Sequence, residues 1–389
     1  MNEKSLIPSI RFAGFTDAWE RSKLGDLTDI TTGKLDANAM SPDGEYDFYT
    51  CSLQVYKIDR YAFEGPAITV AGNGYVGCLH LADGKFNAYQ RTYVLSNFKA
   101  SREYLYAEIG NKLPEKVNQE ARSGNIPYIV MDMLTDLEIS LPCHQEQEQL
   151  AKLFTAVDRL ITLHQRKYEK LLNIKKSMLD KMFPKNGELF PEVRFAGFTD
   201  AWERRKLGEI TSLITKGTTP LDKSNTGDVN YVKIENIDNE SGEIIITQRI
   251  SKHEHETYLR RSQLRENDIL FSIAGTLGRV TSVDANILPA NTNQALAIIR
   301  LKTGHLDYVK TFLKGKAVSD FVRKNPTIGA QPNLSLEQVA NLEICAPNEI
   351  EQKKIGIFFQ KLDRLITLHQ RKLEKLQNIK KACLEKMFV

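Results

Sequence analysis

A ten-residue segment that occurs twice constrains this chain more than any other feature. Asp-Arg-Leu-Ile-Thr-Leu-His-Gln-Arg-Lys runs from residue 158 to 167 and again from 363 to 372. A second segment, of eleven residues, occupies 11–21 and 194–204 in identical form. The two spacings, 205 and 183 residues, differ by 22, so the region between the repeats is longer in the second half. Each half of the chain therefore reads as a short segment, a variable region and a long helical pattern.

The variable regions, 28–136 and 211–341, share only faint similarity. Leu-Glu-Ile at 137–139, for example, recurs at 342–344. Segments that stay identical within one chain are expected to meet identical partners or each other. Segments that differ are expected to meet different targets.

Composition places the chain among ordinary soluble proteins with more than one domain. It has 389 residues, 41% of them hydrophobic and 26% charged, which is enough for two or three cores. No apolar run approaches the roughly 18 to 20 residues of a membrane span, and the start lacks a signal-peptide core. We therefore expect a cytoplasmic protein without membrane contact. Five scattered cysteines without a Cys-x-x-Cys pair indicate neither a disulfide framework nor a zinc site.

The net charge of +4 is unevenly distributed. Region 28–136 has 10 Lys and Arg against 14 Asp and Glu, whereas region 211–341 has 16 against 14. Basic side chains supply most non-specific affinity for nucleic acid. The chain alone is therefore expected to hold DNA weakly.

Both variable regions show short β-rich runs followed by a helical pattern, which predicts two α+β domains. In the first region we predict strands near 67–70, 77–81 and 92–95 and a helix over 101–122. In the second we predict strands over 229–234, 243–247, 268–273 and 295–301 and a helix over 306–324. The doubled eleven-residue segment is interpreted as a turn followed by a docking strand, with Trp19 or Trp202 as a large anchor.

The long helical patterns, about 143–183 and 348–388, have apolar residues at alternating spacings of three and four, which is typical of a coiled-coil seam. We assign this seam in the first copy to Leu150, Leu153, Val157, Leu160, Leu171, Ile174 and Met178, and in the second to Ile355, Phe358, Leu362, Leu365, Leu376 and Ile379. Neither helix can bury such a stripe alone, so the two are predicted to pack antiparallel. Since His164 and His369 lie near the helix midpoints, we predict that they meet near a pseudo-twofold axis; the alternative is a locally bonded, outward histidine.

The sequence offers no catalytic or metal site. Residues 72–77, Gly-Asn-Gly-Tyr-Val-Gly, fit a dinucleotide fingerprint, but the motif must open a helix, and a β-rich run follows here. We interpret this stretch and its counterpart Ala-Gly-Thr-Leu-Gly-Arg, 274–279, as turns that bring polar tips to a surface. His253 and His255 have no third ligand nearby in sequence, so a solvated polar run is favoured over a metal site.

Polar loops in the variable regions are candidates for reading base edges, because Asn and Gln can bond adenine and Arg can bond guanine. Three loops recur in equivalent order in both halves; for any single residue, a solvated or turn-capping side chain is the alternative. The candidate DNA-binding residues are Lys34, Asn73, Tyr75, Tyr89, Gln90, Arg91, Arg122 and Asn125 in the first half, and Lys216, Thr218, Thr219, Thr276, Arg279, Asn293, Gln294 and Gln331 in the second.

Four features together resemble the specificity subunits of type I restriction-modification systems. They are the Arg-Phe-Ala-Gly-Phe-Thr-Asp-Ala-Trp-Glu-Arg segment, the Ala-Gly-Thr-Leu-Gly-Arg-Val turn at 274–280, Asn293-Gln294 before a β-rich run, and the Asp-Arg-Leu-Ile helices. The resemblance covers nearly the whole chain. The first half departs from it at the 72–77 turn and at Tyr89, which stands where the second half has Asn293.

This resemblance implies an α+β fold with two target recognition domains, joined by two long helices packed as an antiparallel coiled coil with internal pseudo-twofold symmetry. The implied domains are residues 1–142 and 184–347, with spacer helices at 143–183 and 348–389. It also implies a non-enzymatic subunit for host defence. Each domain would read one half of a bipartite, asymmetric DNA site, and the helices would set the spacing.

The resemblance further implies two modification subunits that methylate adenine with S-adenosylmethionine, and restriction subunits that use ATP and Mg; this chain itself would carry no cofactor. The candidate residues for partner contact are Arg159, Arg166, Lys167, Arg364, Arg371, Lys372, Phe12, Trp19, Phe195 and Trp202. For the aromatic ones, packing against their own domain is the alternative. Two other functions stay open at this point: a protein scaffold that never touches DNA, and a solitary protein that sequesters modification subunits.

Overall fold

The computed structural model describes residues 6–120, 127–185, 187–222, 224–238, 242–324 and 333–389. The candidate positions Arg122, Asn125 and Gln331 lie outside these residues. The chain divides into two compact units, one made of Met1–Leu163 with Leu373–Val389 and the other of His164–Lys372. Each unit thus contains one variable region, part of its own long helix and part of the other.

The first unit contains ten strands and three shorter helices within the described residues. They are β1 (Glu20–Lys23), α1 (Leu24–Leu27), β2 (Asp29–Thr32), β3 (Tyr46–Tyr49), β4 (Tyr56–Ile58), β5 (Phe63–Glu64), β6 (Ala67–Ala71), β7 (Leu79–Ala82), β8 (Lys85–Ala88), β9 (Thr92–Ser96), α2 (Arg102–Glu120), α3 (Met131–Thr135) and β10 (Glu138–Leu141). The first long helix, α4, spans His144–Lys181.

The second variable region follows a similar order. Its elements are β11 (Glu203–Lys206), β12 (Thr211–Lys216), β13 (Val229–Val232), β14 (Gln248–Ile250), α5 (Lys252–Glu256), β15 (Ile269–Ser272), β16 (Val280–Ser282), β17 (Ala290–Thr292), β18 (Leu296–Leu301), α6 (Leu306–Leu313), α7 (Lys316–Lys324), α8 (Leu336–Ala340) and β19 (Glu343–Ala346). The second long helix, α9, spans Glu349–Met387.

The same sheets occur in both units. An antiparallel sheet has the order β2-β9-β6-β7 in the first unit and β12-β18-β15-β16 in the second. A second sheet in each unit contains one parallel pair, which is β3 with β8 in the first unit and β13 with β17 in the second. A crossover connection joins the two strands of each pair. In the first unit Ile68 and Leu95 of the antiparallel sheet and Leu105 of α2 are fully buried in one core. The α+β prediction is confirmed.

Most predicted elements are confirmed, and two are corrected. Residues 243–247 form no strand: the chain turns back at Gly242, which has φ +71°, and Ile244 makes one isolated bridge to Ile237. The predicted helix over 306–324 is two helices, because Lys314 caps the first and the Gly315 amide bonds the Phe312 carbonyl at 2.8 Å.

The doubled eleven-residue segment leads into an edge strand in each unit. Strand β1 pairs with β10, and β11 pairs with β19 in the equivalent register. Arg11 makes two hydrogen bonds, of 2.7 and 2.8 Å, to Glu146 at the start of α4. Arg194 bonds Glu351 of α9 at the same distances. The segment therefore ties each variable region to the start of its own long helix.

The two tryptophans of this segment are buried in their own units. Trp19 is 2% exposed and packs edge-on against Phe388, and Trp202, 1% exposed, does the same against Phe183. This corrects the expectation that Trp19 and Trp202 contact a partner, since their rings fill a core and leave no surface. The alternative, that Trp19 and Trp202 pack against their own domains, is the arrangement in the structure.

The long helices pack antiparallel in each unit, as predicted. In the first, the Asp158 carboxylate lies 2.6 Å from the Lys380 amino group, and Phe154 contacts Phe388. In the second, Asp363 lies 2.6 Å from Lys175, and Phe183 contacts Phe359. Residue numbers fall along one helix as they rise along the other. The same repeated aspartate and lysine thus pair in both units. The aspartate comes from α4 in the first unit and from α9 in the second.

The buried seam differs from the prediction at the helix centres. Leu160 and Leu365, which we assigned to the seam, are each 43% exposed, whereas Ile366 is buried and Ile161 half-buried. Ile379, also assigned to the seam, is 41% exposed. The choice between adjacent apolar residues in Leu-Ile depends on the rotation of the helix, which the 3-4 spacing alone does not determine.

His164 and His369 meet, which confirms the prediction. Their Nδ1 atoms are 2.8 Å apart. One ring must donate and the other accept, so the contact requires at least one neutral imidazole. Burial lowers the pKa of His369, and the positive charges of His164, Lys167 and Lys372 lower it further.

Candidate nucleic-acid interface

A glycine near the end of the first strand of each variable region holds two of the predicted loops together. A Cβ atom at Gly33 would lie 2.0 Å from the Ala88 carbonyl oxygen, and one at Gly217 would lie 2.1 Å from the Thr292 carbonyl oxygen. Only glycine allows backbones to approach so closely. The Lys34 loop therefore lies against the Tyr89-Gln90 turn, and the Thr218-Thr219 loop against the Asn293-Gln294 turn.

The stretches 72–77 and 274–279, predicted to be turns, are tight turns in both units. Gly74 and Gly77 have φ of +60° and +77°, and Gly275 and Gly278 have +72° and +82°. Matching these glycines aligns Tyr75 with Thr276. Because each turn joins two strands of the antiparallel sheet and no helix follows, the structure agrees with a turn rather than a dinucleotide loop.

Backbone hydrogen bonds join this turn to the other loops. The Gly72 amide donates to the Arg91 carbonyl at 2.8 Å, and the Ile273 amide donates to the Ala295 carbonyl at 2.8 Å. Each unit therefore gathers two of the three predicted loops and this turn at one edge; the third predicted loop, at 122–125 and 328–331, lies outside the described residues. The candidates there that are exposed are Lys34, Tyr75, Gln90 and Arg91 in the first unit and Lys216, Thr219, Thr276 and Gln294 in the second; Asn73, Tyr89, Thr218 and Asn293 are half-buried.

Within the second unit, Gln294 has a side-chain partner on the adjacent loop. The Thr219 hydroxyl donates to the Gln294 amide oxygen. This bond uses the amide oxygen of Gln294 and not its NH2 group. In the first unit the residue that aligns with Thr219 is Leu35, which has no hydroxyl, so Gln90 has no such support.

Arg279 has a different role from the one predicted. Its Nη1 donates to the carbonyl oxygens of Ile234 and Ile237, at 3.0 and 3.1 Å, and the side chain is half-buried. These two bonds occupy Nη1 of the guanidinium, and the half-burial of the side chain disfavours contact with a base edge. This corrects the DNA-contact expectation for Arg279, which instead stabilises the loop beneath the 275–278 turn.

The outer face of the repeated helices carries four exposed leucines, of which Leu160 and Leu365 were predicted to lie in the seam. Leu163 and Leu368 are each 45% exposed, and Leu160 and Leu365 match them at 43%. All six predicted cations of this face, Arg159, Arg166, Lys167, Arg364, Arg371 and Lys372, are exposed as well. Arg371 forms an ion pair with the exposed Glu243. The face thus mixes apolar and basic residues, identically in both copies.

The aromatic candidates Phe12 and Phe195 are half-buried and pack on their own units. Phe195 contacts Phe358 of α9 with ring centroids 6.1 Å apart. Among the described residues, no group of three or more His, Cys, Asp or Glu side chains could hold a metal ion, and no helix could span a membrane.

Comparison with known proteins places this architecture in a family. The family described as the type I restriction modification DNA specificity domain matches residues 16–173 and again 199–378. The chain therefore belongs to this family, with two copies of its domain.

Individual relatives agree with this assignment. The chain is 31% identical, over 54% of its length, to the type I restriction enzyme EcoDI specificity subunit of Escherichia coli, and the match spans 52% of that relative. It is 26% identical, over 71% of its length and 67% of the relative, to the MjaVIII specificity subunit of Methanocaldococcus jannaschii. The match thus reaches about half the length of the first relative.

A solved structure shares the fold. A crystal structure of the type I restriction-modification system S subunit from M. genitalium aligns with a TM-score of 0.74, covering 98% of this chain and 99% of that one at 17% identity. At that identity the likeness concerns the fold alone.

Proposed function

We propose that this chain is the DNA-recognition subunit of a type I restriction-modification complex and carries no catalysis of its own. Each variable domain reads one half of a bipartite, asymmetric DNA site through the loops gathered at its edge. The paired helices set the number of base pairs between the halves. Partner subunits supply methylation of adenine with S-adenosylmethionine, and restriction subunits supply ATP- and Mg-dependent cleavage.

One observation carries the proposal: residues on the exposed face of the two repeats are identical. Reciprocal packing explains identity at buried positions, because each helix meets the other through the same residues. It does not explain why Arg159, Leu160 and Leu163 recur unchanged at exposed positions. An identical exposed face fits two copies of one partner, whereas the loops at the domain edges differ and fit two DNA sequences.

The proposed DNA contacts are the loop residues Lys34, Asn73, Tyr75, Tyr89, Gln90, Arg91, Lys216, Thr218, Thr219, Thr276, Asn293 and Gln294. The variable regions carry little net positive charge, and phosphate contacts dominate affinity for DNA. Most phosphate contacts are therefore assigned to the methyltransferase subunits. A mobility-shift assay should show weak binding by the chain alone and strong, site-specific binding after the methyltransferase is added.

The partner face can be tested by stoichiometry. Leu160→Ser removes one apolar contact point and Leu365→Ser removes its copy. Mass measurement by light scattering should show two methyltransferase subunits bound to the unaltered chain, one bound to either single variant, and none to the double variant. Lys152→Ser is the matched control, since Lys152 is exposed on the same helix but its counterpart is Ile357. Retention of two subunits by the double variant would reject this face.

Methylome sequencing of cells that express the chain with its methyltransferase tests the function as a whole. We expect adenine methylation at one bipartite sequence. Co-purification without methylation would favour a sequestering protein, and absence of the methyltransferase from the purified complex would favour a scaffold of another kind.

A further inference from the structure

The edge of the first domain carries three large apolar side chains that are more than half exposed. Tyr75 is 58% exposed, Tyr128 57% and Leu53 65%. Large apolar side chains that stay in water beside a binding surface are typical of contact sites. Tyr128 and Leu53 were not among the residues selected from the sequence.

Backbone hydrogen bonds bring the three segments that carry these side chains together. The Tyr75 amide donates to the Cys51 carbonyl at 3.1 Å, two residues before Leu53. The Ile129 amide, next to Tyr128, donates to the Gly72 carbonyl at 2.8 Å. The three segments thus adjoin at the turn that also contacts Arg91 through the Gly72 amide.

The same hydrogen bonds identify the counterparts in the second domain. The Leu334 amide donates to the Ile273 carbonyl at 2.8 Å, as Ile129 does to Gly72. This match aligns Tyr128 with Asn333, just as the paired glycines align Tyr75 with Thr276. Two aromatic rings in the first domain therefore occupy the places of two polar side chains in the second.

We propose that Tyr75, Tyr128 and Leu53 form an apolar contact surface that reads thymine methyl groups in the first half-site, outside the base pair that is methylated. This proposal rests on the proposed function. In the major groove the C5 methyl of thymine is the apolar feature that distinguishes base pairs, and apolar side chains contact it. The second domain, with Thr276 and Asn333 at these places, reads its half-site through hydrogen bonds.

Uracil in place of thymine tests the proposal without changing any hydrogen bond of the DNA. The protein is the full chain in complex with its methyltransferase, and the probe is a duplex that carries the methylated sequence. Burial of one methyl group contributes about a four-fold change in affinity. We expect uracil in the first half-site to weaken binding about four-fold for each contacted methyl, and uracil in the second half-site to leave binding unchanged.

The tyrosines are tested by the same probe. In the triple variant Leu53→Ser, Tyr75→Ser, Tyr128→Ser the thymine and uracil duplexes should bind equally, whereas Tyr75→Phe, Tyr128→Phe should keep the difference because the rings remain. Equal binding of both duplexes by the unaltered complex would overturn the proposal, and so would a uracil effect that persists in the serine variant. Loss of site-specific binding by the unaltered complex would instead overturn the proposed function.

Discussion

The two recognition domains place the same turns at the same edge but present different chemistry there. Gly33 and Gly217 make the same close backbone contact, and matched glycines shape the 74–77 and 275–278 turns. Yet the first domain exposes tyrosines and has more acidic than basic residues over 28–136, whereas the second exposes Thr276 and Gln294. The shared glycines therefore shape the recognition edge, whereas the exposed side chains, which differ, determine what each edge contacts.

The ion pairs that anchor both domains should give the largest effects. Arg194→Ala leaves Glu351 buried without its partner, and Arg11→Ala does the same to Glu146. Loss of one partner of a buried pair costs about 3 to 5 kcal/mol of unfolding free energy. Urea unfolding should show a loss of this size in the first domain for Arg11→Ala and in the second domain for Arg194→Ala.

The control for these variants is Arg205→Ala, whose partner Glu203 is exposed like Arg205 itself; the expected loss is below about 1 kcal/mol. If Arg11→Ala and Arg194→Ala differed widely, the two domains would not share their anchoring.

The two close-contact glycines should give effects confined to one half-site each. Gly33→Ala forces the Lys34 loop away from the Tyr89-Gln90 turn, and Gly217→Ala does the same in the second domain. Overpacking of this kind costs about 1 to 3 kcal/mol. Measured with duplexes altered in one half-site, sequence discrimination should fall roughly 10- to 100-fold at the matching half alone.

Gly110→Ala is the control for the glycine variants, because a Cβ there would lie 3.4 Å from Leu79, an ordinary contact. Equal loss at both half-sites in either glycine variant would contradict separate reading by the two domains.

The Thr219–Gln294 bond should matter only in the second domain. Thr219→Val removes the hydroxyl that orients the Gln294 amide. Loss of one hydrogen bond costs about 1 kcal/mol, so affinity for the second half-site should fall roughly five-fold. Thr219→Ser should restore it, and methylome sequencing should show relaxed specificity at the second half alone. An unchanged second half-site in the valine variant would remove Gln294 from the reading residues.

The histidine pair should give the smallest effect. Because the pKa of His369 is lowered in the folded chain, the unfolded chain binds more protons as pH falls. The folded chain is therefore more stable above the ordinary pKa of histidine, and this stability is lost as the pH falls below that pKa. The urea midpoint should decrease between pH 7.5 and 5.5, and His369→Gln should reduce that dependence. A midpoint equally sensitive to pH in both proteins would assign the effect to other groups.

Much of the fold follows from the sequence because its repeats are exact. The strands near 67–70 and 295–301 follow from β-rich runs. The antiparallel helices and the meeting of His164 with His369 follow from the repeated helical pattern, although an outward histidine was the alternative. The rotation of the long helices did not follow, since Leu160 and Ile161 are both apolar and only packing decides which is buried.

The candidate site was predictable to the level of loops but not of side chains. The order of the polar loops in the two halves indicated equivalent edges. Arg279 was selected because arginine can bond guanine. Its bonds to the Ile234 and Ile237 carbonyls could not be foreseen, since these residues lie far away in sequence. Tyr128 was missed because its place beside Tyr75 depends on a backbone hydrogen bond between distant segments.

The repeats allow a direct exchange of recognition domains. Residues 22–157 can be replaced by residues 205–362, because each junction adjoins an identical segment. The resulting chain carries two copies of the second domain and keeps both repeated helical segments, 158–167 and 363–372.

Methylome sequencing of cells that express the exchanged chain with its methyltransferase then shows whether each domain reads its own half-site. If each domain reads its own half-site, methylation should move to an inverted repeat of the second half-site. Continued methylation of the original asymmetric sequence, or of a sequence without the second half-site, would contradict the account.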